Sequence, residues 1–248
     1  MVGGETQLLS LRISILYFLQ CYLYKNESEK SKIIQKLFYQ TENAANKHTL
    51  GHLLTTGILS KDIVSSWCSF IALSHLIADS QESKETILLV KLPVDQTPTG
   101  AKTLMEISFD LLTNASSLCH TRIAILIFIC TWLLNNSLAV QTFLSIDNTI
   151  SYLISQICLC LHFNNNQISS YSIGSIKQKI IENIGFEIIK KNLEIFAQSK
   201  YYRDAQQQIH LTISEADELL IDHNFAQLFI YSKELVMSTL TPDGEIKH

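Results

Sequence analysis

The sequence predicts an all-α protein, and two observations support that prediction. Apolar residues recur at helical spacing, as where Ile63, Trp67, Phe70 and Ile71 fall on one helical face. Only eight glycines and three prolines interrupt 248 residues, and no stretch shows the sustained alternation and turn pairs that indicate a β-sheet. Helices of roughly ten to twenty residues joined by short polar links account for both observations.

The predicted helices are assigned in chain order from these periodic stretches. They span residues 6–25, 28–40, 48–59, 61–78, 83–92, 99–112, 120–134, 138–144, 148–162, 173–184, 186–198 and 223–239. Polar breaks at residues 43–46, 95–99 and 164–166 separate some of them. Ser60 and Asn148 are the expected N-caps of the helices that follow them, because each side chain can accept hydrogen bonds from unpaired first-turn amides.

Composition favours a buried core over a membrane span. Hydrophobic residues make up 47% of the chain and charged residues 17%, against the roughly 25% charge of an ordinary soluble domain. The longest apolar run, residues 123–134, reaches about 18 Å as a helix, short of the roughly 30 Å hydrocarbon core. The first residues lack a secretory signal pattern, so the six cysteines are expected to be reduced core residues in the cytosol.

Charge excludes one class of partner. The formal net charge is −4, and the only arginines are Arg12, Arg122 and Arg203. Nucleic-acid binding needs a basic surface, so no nucleic-acid partner is expected.

Two architectures fit these helices: a globular bundle, or an α-solenoid of the armadillo or HEAT type. Residues 12–23 align without gaps to residues 122–133, with Arg, Ile, Ile, Leu, Phe and Leu identical. The separation of 110 positions fits two or three repeat units of about 40–47 residues. Chance likeness between two apolar helices is the alternative. We expect the solenoid, a right-handed superhelix of stacked helices, because both segments are apolar nearly all round.

The domain organisation follows from a change in composition near the end of the chain. Residues 1–200 are predicted to hold the armadillo-like repeats, and residues 201–222, where helical rhythm breaks, a loop. Residues 223–241 are predicted to form the last helix, and residues 242–248 a tail.

Metal-binding patterns are weak in this sequence. His48 and His52 lie one helical turn apart, but Thr49 stands where a zincin has its catalytic glutamate. Cys158 and His162 share a helical face while Cys160 points away, so three ligands do not converge. No metal site and no cofactor are expected.

Catalytic motifs also fail to appear. The sequence has no Gly-X-Ser-X-Gly elbow, and its glycines do not form a Walker or Rossmann spacing. We therefore expect a protein that is not an enzyme. A helical-bundle enzyme stays open as an alternative, and a deep polar pocket holding a perturbed titratable group would reveal it.

One cluster of cations is the candidate binding site. Its members are Lys177, Lys179, Lys190, Lys191, Lys200 and Arg203. The cluster is interpreted either as an ordinary solvated face or as a docking site for an acidic partner or an anionic membrane surface. Arg12 and Arg122 are expected to cap or hydrogen-bond neighbouring repeats.

A set of ordered segments adds a family resemblance. The segments are residues 20–26 (QCYLYKN), 65–68 (SSWC), 72–75 (ALSH), 121–122 (TR), 130–133 (CTWL), 163–166 (FNNN), 182–186 (ENIGF), 201–205 (YYRDA) and 221–225 (IDHNF). In this order they resemble the globular head of the general vesicular transport factor family, long coiled-coil tethers of traffic from the endoplasmic reticulum to the Golgi. The resemblance covers about residues 9–241.

The resemblance implies an armadillo-like, non-enzymatic head that docks vesicles before SNARE-mediated fusion in ER-to-Golgi and intra-Golgi transport. It implies Rab-type small GTPases, SNARE proteins and golgins as partners, and a homodimer in the full-length protein. It also implies a cytoplasmic protein peripheral to the cytosolic face of the Golgi membrane. Because the family's head is longer and continues into a coiled coil and an acidic tail, we expect this chain to be the C-terminal part of such a head. The alternative function is an armadillo or HEAT adaptor in another cytosolic pathway.

Overall fold

The computed structural model describes residues 2–38, 50–93, 101–114, 119–146, 177–178, 181–182, 185–207 and 221–241. These residues form eleven α-helices, a 3-10 helix at Ile87–Leu89 and a two-stranded sheet, which confirms the mostly helical prediction. The helices are α1 (Val2–Leu23), α2 (Glu27–Phe38), α3 (Leu50–Ile58), α4 (Ile63–Ile77), α5 (Gln81–Thr86), α6 (Leu104–Thr113), α7 (Cys119–Leu133), α8 (Ser137–Ser145), α9 (Phe186–Gln198), α10 (Lys200–Gln207) and α11 (His223–Leu240). The strands are β1 (Lys91–Pro93) and β2 (Ala101–Thr103).

The chain divides into two compact units. The first contains residues 1–132 and 210–221, and the second contains residues 133–209 and 222–248. Predicted helix 148–162 and most of predicted helix 173–184 lie outside the described residues, as does the predicted cap Asn148.

Aromatic side chains form the centre of the first unit. Trp67, Phe70, Phe128 and Trp132 are all completely buried. The ring centroids of Phe70 and Phe128 are 5.8 Å apart, and those of Phe128 and Trp132 are 5.0 Å apart. Such pairs add about 0.5–1.5 kcal/mol to the gain from burial. The Trp132 indole also donates a hydrogen bond to the carbonyl oxygen of Lys84 at 2.8 Å, so α7 is fixed to α5.

A small antiparallel hairpin interrupts the first unit. Lys91 pairs with Thr103 and Leu92 pairs with Lys102, and Leu104 continues the ladder by donating to the carbonyl oxygen of Val90 at 2.9 Å. The sequence predicts helix for residues 83–92 and 99–112. Strands of three residues are too short to show apolar–polar alternation, so the helical pattern on either side obscures them.

The N-terminus of α4 has a different cap from the one predicted. Asp62 accepts a hydrogen bond from the backbone amide of Ser65 at 3.0 Å, whereas Ser60 accepts one from the amide of Asp62. Arg12 of α1 donates to the same Asp62 carboxylate at 2.7 Å. Partial burial tends to raise the pKa of Asp62, but the hydrogen bonds from Ser65 and Arg12 hold it below its ordinary value. Arg12 thus joins neighbouring helices, as expected.

Three helix–helix corners share one backbone geometry. Lys25, Asp79 and Asn135 each have a positive φ, of 53°, 58° and 55°. In each corner the next residue donates its backbone amide to the carbonyl three positions earlier, at 3.1, 3.4 and 3.1 Å. The left-handed residue ends one helix, and the residue after it lies at the start of the next.

The corners recur every 54 and 56 residues along the chain. The two intervals together make up the 110-residue separation of the aligned segments. By this spacing α1, α4 and α7 are equivalent helices, each followed by a corner and by α2, α5 or α8. Lys30 and Lys84 occupy equivalent buried positions on α2 and α5.

The second unit has its own aromatic cluster. The ring of Phe196 on α9 lies 5.6 Å from Tyr202 on α10, and 6.3 and 4.7 Å from Phe225 and Phe229 on α11. Asp222 caps α11 by accepting from the Phe225 amide at 2.9 Å. The cluster explains why residues 200–207 are helical where the sequence analysis predicts a loop, since Tyr202 is anchored in an aromatic core. The remaining predicted loop residues up to 220 lie outside the described part.

Candidate interaction surfaces

One of the six cations of the predicted cluster, Lys177, makes a hydrogen bond within the second unit. Lys177 donates a hydrogen bond to the carbonyl oxygen of Thr241 at 3.3 Å, next to the last residue of α11. A cation there offsets the partial negative charge of the helix C-terminus, so Lys177 has a structural role. Lys179 lies outside the described residues. Among the described residues, the other members of the cluster are Lys190, Lys191, Lys200 and Arg203, on α9 and α10.

Packing in the second unit determines which side chains of α9 and α10 face outward. Ile189 and Leu193 are buried on the inner side of α9, and Tyr202 and Ala205 are buried on the inner side of α10. Exposed residues on the other sides of these helices meet solvent, and the half-buried Lys190 lies at the edge of the buried side of α9. We call this set the α9–α10 surface, which comprises Ile188, Lys190, Lys191, Ile195, Lys200, Tyr201 and Arg203.

The α9–α10 surface mixes charge with apolar side chains. Ile188, Ile195 and Tyr201 are 56%, 55% and 52% exposed. The carboxylates of Glu187, Glu194 and Asp204 lie among the four cations in sequence, which reduces the local positive charge. An anionic membrane attracts surfaces with several uncompensated cations. Aromatic and aliphatic groups beside arginine are instead typical of protein–protein contacts.

A second exposed apolar surface lies on α1 and was missed in the sequence analysis. We call it the outer stripe of α1, formed by Leu8, Leu11, Ile15, Phe18 and Tyr22. These side chains are 50%, 56%, 58%, 70% and 43% exposed. Their spacing of three and four residues places them on one side of the helix. The opposite side, with Leu9, Ile13, Leu16 and Leu23, is buried.

From the sequence, α1 and α7 are both predicted to be apolar nearly all round. The structure distinguishes them, because α7 buries Ile125, Phe128 and Trp132 where α1 exposes Ile15, Phe18 and Tyr22. The regular spacing of large apolar residues on both sides of α1 is the signal that could have revealed the outer stripe. Whether such a face is covered depends on neighbouring helices, and the residue pattern of a single helix does not reveal them.

Neither of the two weak metal-binding patterns, His48 with His52 and Cys158 with His162, lies wholly within the described part of the chain. His48, Cys158, Cys160 and His162 are outside it, and His52 on α3 lies 3.5 Å from the Thr56 hydroxyl. Among the described residues, no group of three or more His, Cys, Asp or Glu side chains has the arrangement of a metal site.

The described cysteines fall into two classes, whereas the sequence predicts core thiols. Burial raises the pKa of the core thiol of Cys130 and of the half-buried thiol of Cys68 to about 12. Cys21 and Cys119 are exposed. They lie at helix positions that face away from the core, although the surrounding stretches are apolar.

No helix within the described ranges combines the length and the apolar character that crossing a bilayer requires.

Comparison with known proteins gives one consistent family. The family model "Uso1 / p115 like vesicle tethering protein, head region" matches residues 2–240. The general vesicular transport factor p115 of Homo sapiens is 30% identical over 247 residues, covering 91% of this chain and 25% of the human protein. The p115 proteins of Mus musculus and Bos taurus show the same identity and coverage. The chain therefore spans about a quarter of the length of these relatives.

The match confirms the resemblance found in the ordered segments at the level of the head region. The family consists of tethering proteins and not of enzymes, as expected from the missing catalytic motifs. This chain belongs to the Uso1/p115-like family of vesicle tethering proteins, whose head region it matches.

Proposed function

We propose that this chain acts as part of a vesicle-tether head, which docks transport vesicles through protein–protein contacts before SNARE-mediated fusion. The observation that carries the proposal is the family match over residues 2–240, together with 30% identity to p115 over 91% of the chain. The pathway proposed is ER-to-Golgi and intra-Golgi transport, at the cytosolic face of the Golgi membrane. The segment proposed is the C-terminal part of the head.

The proposed architecture is an armadillo-like solenoid. Three corners of the same geometry at 54- and 56-residue spacing support it, because stacked units with nearest-neighbour contacts are the basis of solenoid proteins. Lys30 of α2 and Trp132 of α7 each bond a backbone carbonyl 48 residues away in sequence, at Ala78 and Lys84. Such a frame holds binding groups on a rigid surface.

The proposed contact region is the α9–α10 surface. Its exposed apolar groups supply area to bury, and Lys190, Lys191, Lys200 and Arg203 would select an acidic partner. The proposed partners are a Rab-type small GTPase, SNARE proteins and golgins, and full-length protein is proposed to be a homodimer. Charged groups at the rim of such a contact mainly affect the association rate.

A binding measurement tests this proposal. The immobilised chain is presented with Rab-type GTPases in GTP- and GDP-bound forms and with the cytosolic parts of Golgi SNAREs. We expect selective binding of at least one of them, which falls tenfold or more in the variant Lys190→Glu, Lys191→Glu, Lys200→Glu, Arg203→Glu.

The matched control reverses four exposed lysines elsewhere: Lys25→Glu, Lys36→Glu, Lys61→Glu, Lys91→Glu. This control has nearly the same net charge but an unchanged α9–α10 surface, so binding should persist. If both variants lose binding equally, the loss is caused by net charge and not by the α9–α10 surface. Absence of binding to every GTPase and SNARE would overturn the tether proposal and favour an adaptor in another pathway.

A further inference from the structure

Three exposed side chains of α9 lie along one line of the helix. Ile188, Lys191 and Ile195 are three and four residues apart, the spacing that places side chains above one another on a helix. Ile188 and Ile195 are 56% and 55% exposed, and Lys191 is exposed between them. We call these three residues the α9 stripe. It is distinct from the side of α9 on which Ile189 and Leu193 are buried.

The packing side of α9 is already occupied inside the second unit. The ring centroid of Phe196 lies 5.6 Å from that of Tyr202 and 4.7 Å from that of Phe229. Since these contacts hold α9 by its inner side, the two isoleucines of the α9 stripe remain in water. Apolar side chains that are more than half exposed gain free energy when another molecule covers them.

The length of the α9 stripe fits another helix. Seven residues at a rise of 1.5 Å place Ile188 and Ile195 about 10.5 Å apart, which is two helical turns. A helix packed along α9 presents apolar side chains at the same two-turn repeat, as in the seam of a coiled coil. An extended strand places side chains on one face about every 6.6–6.8 Å, and no multiple of that distance gives 10.5 Å.

The charges around the α9 stripe favour an acidic helix. At about 100° of rotation per residue, Lys191 lies about 40–60° from the two isoleucines, whereas Glu187 and Glu194 lie about 80–120° from them. Within the part of the chain that the structure describes, Lys191 forms no ion pair, and neither do Lys200 and Arg203 at the start of α10. The charge nearest the apolar line is therefore an uncompensated cation, and a carboxylate complements it.

We infer that the α9 stripe docks an amphipathic helix of another protein, with apolar side chains two turns apart and carboxylates beside them. The apolar side chains pack on Ile188 and Ile195, and a carboxylate pairs with Lys191. Lys200 and Arg203 add long-range attraction for the same acidic helix. The inference rests on the proposed function, because it names the element through which a partner of the tether binds the α9–α10 surface.

A second copy of this chain and a lipid surface fit the α9 stripe less well. Two α9 helices packed antiparallel along their stripes would bring two Lys191 side chains together, and like charges repel. An anionic bilayer would attract Lys191 but repel the exposed carboxylates of Glu187 and Glu194 on the same helix. An acidic helix can instead place its carboxylates beside Lys191 alone.

Synthetic single helices serve as probes of the α9 stripe. The first is a stapled peptide of about 21 residues, with leucine at the first and fourth positions of each heptad and glutamate beside them. The second has lysine in place of each glutamate. The third has the composition of the first, with its leucines distributed around the helix. Fluorescence anisotropy measures binding to this chain, at peptide concentrations where sedimentation shows monomers.

We expect the glutamate peptide to bind about tenfold or more tightly than either of the other two. The double variant Ile188→Ser, Ile195→Ser should weaken this binding by about tenfold, and Lys191→Glu should weaken it by about threefold. The matched control Leu53→Ser, Leu89→Ser changes side chains that are 58% and 69% exposed in the first unit, and it should leave binding unchanged. Thermal unfolding verifies that all variants are folded.

Four results would overturn the inference. The first is equal binding of the glutamate peptide and the peptide with distributed leucines. The second is binding of the glutamate peptide that survives Ile188→Ser, Ile195→Ser. The third is binding of this chain to vesicles containing phosphatidylserine that is lost in the double variant, which would assign the α9 stripe to lipid. The fourth is dimerisation of this chain that is lost in the double variant, which would assign the stripe to a second copy.

The same double variant separates this inference from the tether proposal. If a Golgi SNARE or a Rab-type GTPase binds this chain and the double variant equally well, the tether proposal stands and the inference fails. If the glutamate peptide binds as expected while no SNARE or GTPase binds, the inference stands and the tether proposal fails.

Discussion

The ammonium group of Lys30 lies 2.8 Å from the carbonyl oxygen of Ala78 and donates a hydrogen bond to it. Ala78 is the C-cap of α4, so its carbonyl lies beyond the regular helical bonding of that helix. The same ammonium group donates to Glu27 at 2.8 Å. Burial tends to raise the pKa of Glu27, but hydrogen bonds from Lys30 and Ser80 lower it. One buried cation thereby ties α2 to the corner that follows α4.

Replacing Lys30 with methionine should destabilise the first unit. The methionine keeps the apolar volume but leaves the Ala78 carbonyl without this donor, and we expect a loss of about 1–3 kcal/mol in the free energy of unfolding. Denaturant titration measures it. Lys32→Met is the matched control, because Lys32 is exposed and pairs with Glu29 across the next turn, and it should have little effect. Equal effects in the two variants would show that the corner bond has no special role.

The corner also shows what the sequence could and could not predict. Helical periodicity identifies α1, α4, α7 and α11 within a few residues of their bounds, because each carries a long apolar pattern. The corners escape detection because Lys25, Asp79 and Asn135 take the left-handed conformation where glycine is the usual signal. Without the corners, their 54- and 56-residue spacing cannot be read from the sequence.

The candidate surfaces were only partly predictable for a similar reason. The cations on α9 and α10 are visible in the sequence, but the bond from Lys177 to Thr241 joins residues 64 positions apart. The outer stripe of α1 depends on which neighbours are present, and an apolar side chain looks the same in the sequence whether it is covered or exposed. Contacts between residues far apart in the sequence determine both the role of Lys177 and the exposure of the outer stripe of α1.

Gly57 is required by the close approach of α3 to α4. A Cβ atom added at Gly57 would lie 2.0 Å from the Ser69 hydroxyl oxygen and 3.0 Å from the carbonyl oxygen of Ser65. Gly57→Ala therefore forces the two helices apart, and we expect a loss of about 1–3 kcal/mol in stability despite the better helix propensity of alanine. Thermal and chemical unfolding measure this loss.

A second-site change tests the cause of that loss. Ser69→Gly removes the hydroxyl and the Cβ that the new methyl group would meet, so the double variant should recover part of the stability lost in Gly57→Ala. The Ser65 carbonyl stays in place, so recovery should be incomplete. Additive losses in the double variant would contradict the steric explanation.

The thiols should divide into two reactivity classes in the native protein. The thiolate is the reactive form, and burial raises the pKa of Cys68 and Cys130 to about 12, so both should alkylate about a thousandfold more slowly than an ordinary exposed thiol near neutral pH. Cys21 and Cys119 are exposed and should react quickly. Mass spectrometry of a Cys158→Ser, Cys160→Ser variant counts the modified sites, with complete modification in denaturant as the control. Rapid modification of Cys130 would contradict its burial.

Lys84 should make stability depend on pH in the alkaline range. Burial lowers the pKa of Lys84 from 10.5 to about 8, against a smaller opposing effect of Asp79. Between pH 8 and 10.5 the unfolded chain keeps the proton that the folded chain has lost, so this lysine's contribution to stability rises with pH. Relative to the Lys84→Met variant, the free energy of unfolding of the natural chain should increase by about 1–3 kcal/mol between pH 8 and 10.5. Urea unfolding at a series of pH values measures this increase. The Trp132 bond to the Lys84 backbone carbonyl does not involve the substituted side chain, and the exposed Lys91→Met serves as control. If the free energies of unfolding of the natural chain and of the Lys84→Met variant differ by a constant amount from pH 7 to 10.5, Lys84 keeps an ordinary pKa in the folded protein.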